Sequence, residues 1–105
     1  MGRTMDPLRD PEDCTTMAEV RAGVDAIDRA MVALLRRRFG FMDAAARIKP
    51  TRDAVRDEDR KAEVLANVER EAQRLGVSTE LTARLWEDLI ETSIAHELAR
   101  WDATR

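Results

Sequence analysis

Residues 17–49 run MAEVRAGVDAIDRAMVALLRRRFGFMDAAARIK, with apolar side chains at Met17, Val20, Val24, Ile27, Met31, Leu34 and Leu35. Alternating steps of three and four are the period of an amphipathic helix. Carried on at roughly 100° per residue, the stripe passes through Met42 and Ala45. Arg38 and Lys49, eleven residues apart, project within about 20° of each other and of that stripe. A charge on a core-facing stripe needs a partner, because stripping its water without compensation is costly. Either protein carboxylates meet these cations or an anionic ligand does. About 16 Å of helix separates them, so two long side chains can lean in on one small di-acid. A plainer reading competes: in the run Arg36-Arg37-Arg38 one member falls near the inner face in any register, and long basic side chains snorkel to water.

Upstream, residues 1–16 read as an extended N-terminal arm, with Pro7, Pro11, dense charge and no period. Thr15 or Thr16 can cap the helix, and Glu19 stands in the capping-box position for Thr16. Downstream, Pro50 ends the helix at about Lys49, and a polar loop covers residues 51–56. Asp57 caps a second helix, Glu58 to Leu75, with Val64, Val68, Ala72 and Leu75 inward and Arg60 in its first turn. Gly76 closes that helix, and Ser78 caps a third from about Thr79 to Trp101. Residues 17–105 thus form one all-α domain, a three-helix chain. A first helix of this length measures about 50 Å, against a radius of gyration of about 13 Å for a globule of this size. Its seam needs cover, and a homodimer with the long helices packed together supplies it. A kink at Gly40, giving a four-helix monomer, is the alternative.

Composition narrows the function. In 105 residues there is room for one modest core. Four per cent aromatic residues and four glycines argue against a sheet-rich fold. A net charge of −3, with basic residues interleaved among acids, gives no attraction to nucleic acid. No apolar run approaches the ~20 residues of a membrane span, and the single Cys14 fits a cytoplasmic protein without disulfides. Cys14 has no second thiol or nearby histidine to make a metal or thiolate site. His96, the one histidine, reads as solvated on the outer side of its helix.

The third helix repeats the anomaly of the first. Trp86, Leu89, Ile90, Ser93 and Trp101 share a stripe, and Glu97 lies in its middle. Glu97 can pair with Arg38 or Lys49 as a buried ion pair, or form half of a mixed-charge pocket. Ser93, one turn earlier, either bonds its own backbone or faces that pocket.

Five local patterns in order carry a family resemblance: Val20-Arg21-Ala22-Gly23-Val24-Asp25-Ala26-Ile27-Asp28, Leu34-Leu35-Arg36-Arg37-Arg38, Ala46-Arg47-Ile48-Lys49, Val55-Arg56-Asp57-Glu58-Asp59-Arg60 and Leu89-Ile90-Glu91-Thr92-Ser93-Ile94. From Met17 to Trp101 the chain resembles the all-helical chorismate mutases and their sibling branch, isochorismate-pyruvate lyase. The resemblance implies an intertwined homodimer with shared active sites and an isomerase of aromatic amino-acid biosynthesis in the shikimate pathway, with no metal or cofactor. It also implies roles: Arg38 and Arg21 bind two substrate carboxylates, Arg21 coming from the partner chain. Lys49 bonds the ether oxygen that breaks and a carboxylate; Arg60 is a further basic position; Asp57 accepts from the ring hydroxyl; Ser93 lines the carboxylate end.

Departures from the family pattern matter. Glu97 stands where Gln often donates to the ether oxygen, and an ionised carboxylate can only accept, so Glu97 must hold a proton to donate. Lys61 stands where mutases often carry Glu, which puts the hydroxyl contact there in doubt. The tight loop from Lys49 to Arg60, the upstream Pro11-Glu12-Asp13-Cys14-Thr15 and Trp101 resemble the lyase branch, whereas Val55-Arg56-Asp57 and Ser93 resemble the mutases. The expected activity is chorismate to prephenate. Its rivals are isochorismate to salicylate plus pyruvate, and a non-catalytic helical dimerisation or regulatory module whose inner charges are merely paired.

Overall fold

The computed structural model describes residues 9–105. Their regular structure is helical: α1 is Met17–Ile48, α2 Glu58–Leu75 and α3 Thr79–Ala103, with 3-10 turns at Pro11–Asp13 and Arg52–Ala54. The chain divides after Arg38 into two compact units.

In the first unit, α1 opens on a reciprocal capping box. Glu19 N donates to Thr16 Oγ1 at 3.1 Å, while Glu19 Oε1 accepts from the backbone N–H of Thr15 and Thr16 at 2.8 and 3.1 Å. These bonds satisfy donors that a helix start leaves open. The Thr15 backbone bond is the largest of the causes that hold the Glu19 carboxyl down at about 2. Arg9 adds an ion pair to Glu19 at 2.5 Å. Of the arm at 1–16, residues 1–8 lie outside the described residues, and the rest is not simply extended, because Pro11 opens a turn. Gly23 and Gly40 do not interrupt α1, which runs unbroken from Met17 to Ile48, so the chain has three α-helices and not four among the described residues. Met17, Val24, Ile27, Met31 and Leu34 of the apolar seam are each more than half exposed.

In the second unit, α2 starts and stops on local signals. Asp57 accepts from Arg60 N at 3.0 Å as N-cap, and Gly76 at φ 73° lets the Gly76 and Val77 N–H groups bond back to the last turn. Ser78 Oγ accepts from Leu81 N at 3.1 Å and starts α3 two residues later. Val55, Ile90 and Ile94 form the buried core, with Val64, Leu65, Trp86, Leu98 and Trp101 packed around them. Leu75, expected on the inner face, is exposed, since the helix turns away at Gly76 beside it.

His96 also departs from expectation. It is half-buried, its Nε2 lies 2.7 Å from Asp43 Oδ1, and its ring meets Phe39 edge-on at 5.0 Å. Asp43 takes Arg100 as well, at 3.3 Å, so this polar cluster ties the end of α1 to α3.

Glu91 makes a small pH-dependent contribution to the fold. Hydrogen bonds from Arg56, then Lys61, hold the Glu91 carboxyl at about 2, below its ordinary 4.5. A carboxyl depressed by folding stabilises the fold above its unfolded pKa, and that contribution is lost as pH falls through the folded value. Between about pH 4.5 and about 2 the wild-type urea midpoint should therefore fall more steeply than that of Glu91→Gln. Parallel curves for the two proteins over that window would contradict the assignment.

Candidate active site

The site is built around the residue where α1 gives way to the loop. Lys49 N still bonds back to Ala45 O at 2.9 Å, which makes Lys49 the last residue held by the helix. Pro50 follows and cannot donate the next N–H. The Lys49 carbonyl, left without a helical donor, accepts from Trp101 Nε1 at 3.4 Å and from Arg105 Nη2 at 2.8 Å. The Arg105 guanidinium lies 4.4 Å over the Trp101 ring, a cation–π contact that keeps both donors together.

At the other end of the same residue, Lys49 Nζ donates to Val55 O at 3.2 Å and sits 2.7 Å from Glu97 Oε2. Glu97 is 5% exposed in its side chain and Lys49 is 29% exposed. The contact is an ion pair by distance, but the ammonium approaches off the hydrogen-bonding direction, so Oε2 is buried with no directed hydrogen bond. Charge, not direction, holds the pair. An ammonium carries three N–H donors, and the Val55 carbonyl takes one of them. The second unit thus holds a cation fixed at its backbone and its tip, and still open to solvent on one side.

Of the residues singled out by sequence, the structure brings Lys49 and Glu97 together, beside the carbonyl of Val55. Ser93 is buried one turn before Glu97, and its Oγ donates to Leu89 O at 2.6 Å, the backbone role weighed for it. Asp57 caps α2, so one of its oxygens is engaged by Arg60 N. Arg60 is exposed and paired with Glu63 on its own helix; it does not join Lys49. Arg21 and Arg38 belong to the first unit, Arg21 exposed and Arg38 half-buried. Lys61 is not directed to Lys49 either: its ammonium, 17% exposed, pairs with Glu87 at 2.9 Å and Glu91 at 2.7 Å.

Sequence reasoning missed the Val55 carbonyl and the Trp101–Arg105 clamp. A backbone acceptor leaves no trace in side-chain pattern, and Arg105 stands past the last periodic residue. The only usable signal was Pro50, which guarantees that carbonyls at the end of α1 need outside donors. No three His, Cys, Asp or Glu side chains among the described residues cluster to hold a metal ion. No helix among them is long and apolar enough to cross a membrane.

Comparison with known proteins agrees with the helical frame. The family described as chorismate mutase type II matches residues 20–98. A protein of Pseudomonas aeruginosa named isochorismate pyruvate lyase is 33% identical over 98 residues, spanning 93% of this chain and 97% of the relative. The family match takes in all of α2, most of α1 and α3, the loop that carries Val55 and the Lys49–Glu97 pair, and on it the chain belongs to the chorismate mutase type II family.

Proposed function

We propose that this protein is a chorismate mutase, rearranging chorismate to prephenate, and that it works as a homodimer with shared sites. The observation that carries the reading is the Lys49 ammonium, held by Val55 O and Glu97 at the edge of a packed helical unit. The rearrangement is pericyclic: one bond forms as the ether C–O bond breaks, with no intermediate and no obligatory proton transfer. It needs no nucleophile and no cofactor. It needs the flexible dianion held in its compact conformer and negative charge on the ether oxygen stabilised as it develops. An ammonium held in place by the Val55 carbonyl and Glu97 does the second task. In this reading Arg38, with Arg21 of the second chain, binds the two carboxylates, and Arg60 adds positive field. Asp57 accepts from the ring hydroxyl with the oxygen its cap leaves over, and Ser93 lines the carboxylate end. Glu97, 2.7 Å from Lys49, stands at the ether-oxygen end of the site in this reading, where only a carboxyl that carries a proton can donate.

The dimer is supported by the exposed seam of α1. Met17, Val24, Ile27, Met31 and Leu34, each more than half exposed on one stripe of α1, make an apolar face of the kind found at protein interfaces. A second copy of the same helix offers it a self-complementary surface.

One specific observation favours a second reading. The relative named isochorismate pyruvate lyase matches nearly the full length of both chains. Conversion of isochorismate to salicylate and pyruvate breaks the same kind of ether bond in a substrate of the same charge, so Lys49 suits both reactions. The two are separated by a paired assay on purified protein. We expect kcat/KM for prephenate formation from chorismate to exceed that for salicylate formation from isochorismate; the reverse order makes the protein a lyase. Turnover of neither substrate, with a folded dimer, returns the chain to the dimerisation module.

Shared sites make a separate prediction. Arg21→Ala and Lys49→Ala chains, each inactive as homodimers, should regain activity when mixed and refolded, because each heterodimer keeps one site with both residues intact. Absence of complementation, or full activity from a sedimenting monomer, would rule out the crossed arrangement.

A further inference from the structure

The loop after Lys49 is fastened to α3 at two points, and both fastenings are forked. Arg52 donates from Nε and Nη2 to the two oxygens of Asp102, at 2.8 and 3.1 Å. Arg56 donates from Nη2 and Nη1 to the two oxygens of Glu91, at 2.7 and 3.2 Å. Glu91 and Asp102 are eleven residues apart on α3, three turns, so they share a face within about 20° and stand about 16 Å apart along it. Between the two straps Val55 is 3% exposed against Ile90 and Ile94, and its carbonyl receives the Lys49 ammonium. Lys61 adds a second cation to Glu91.

These ion pairs face solvent, and exposed pairs contribute little to stability. What a bidentate pair does supply is direction, because both N–H···O bonds must be made at once. Two such pairs on either side of Val55 fix the path of the loop along α3, and so fix the carbonyl that aims Lys49. We propose that Glu91 and Asp102 are positioning residues for Lys49, acting through the loop they strap to α3. The proposal rests on the reading of Lys49 as the cation that meets substrate.

The test uses the full-length protein and the faster of its two candidate reactions. Glu91→Gln and Asp102→Asn should each lower kcat by about tenfold to a hundredfold, the range expected for a sub-ångström to ångström misplacement of a catalytic group. KM should stay within about twofold, because the interaction lost belongs to the transition state. The charge swap Arg52→Asp with Asp102→Arg should recover most of the kcat lost in Asp102→Arg alone. Amide exchange at Val55, whose N–H bonds to Arg52 O at 3.1 Å, should speed up about tenfold in the single variants, with Ile90 unchanged. An unchanged kcat, a rise in KM alone, or a swap that recovers nothing overturns the proposal. If the wild type turns over neither substrate, it is the reading of Lys49 that fails. Exchange at Val55 then judges the straps alone, and unchanged exchange overturns them.

Discussion

A carboxylate with 5% of its side chain exposed cannot be left alone, and Glu97 imposes that constraint on everything near it. Its partner must be a cation, and the cation comes from the last residue of α1. Once Lys49 Nζ is committed to Glu97, the end of α1 is fixed against α3. The chain must then leave α1 along α3, which it does through Pro50 and the turn at Arg52–Ala54. Val55 returns to the core, its carbonyl meets the same ammonium, and Asp57 starts α2 two residues later. The Trp101 and Arg105 donors complete the junction from the other end. Around one ion pair, the loop, two helix ends and the C-terminal turn are all determined.

A buried ion pair is a poor device for stability alone, since well-packed apolar residues of the same volume serve as well or better. Its presence here makes sense if the cation has other work. Lys49 is six times as exposed as Glu97, so the pair is open on the ammonium side. On the proposed function, a dianionic substrate would meet the ammonium on that open side. The proposed reaction asks for that arrangement, since ether cleavage in a dianion calls for fixed cations more than for a nucleophile. The mutase and lyase readings differ in substrate and bond-making partner, while the demand on Lys49 is common to both.

Much of this was legible in the sequence, and the residues say why. Thr16 with Glu19, Pro50, Asp57, Gly76 and Ser78 are local signals: each acts on backbone within four residues of itself, so each can be read without a tertiary structure. Glu97 was legible because one charge interrupts an apolar stripe, and Lys49 was one of two cations it could meet. The straps were not legible. Arg52–Asp102 and Arg56–Glu91 join residues 50 and 35 positions apart, on exposed faces where nearly any polar residue fits the pattern. His96 was misread for the same reason: its face looked outward by period, but Asp43, 53 residues away, meets it there. Periodicity states which face is apolar and is silent about which polar groups meet across a junction.

The central claim is that Lys49 is kept for its charge toward a ligand and that Glu97 is its counter-ion in the empty protein. The double substitution Lys49→Met with Glu97→Gln removes both charges together and leaves no buried ion unpaired. Turnover by that variant, measured on protein shown to be folded, is the most direct test. The account predicts a thermal midpoint within a few degrees of wild type, since both partners of the pair go together (about 1 kcal/mol or less). It predicts turnover at least about a hundredfold lower, since the cation at the ether oxygen is gone. Wild-type turnover in the double variant would contradict it, and would make the pair a structural tie alone.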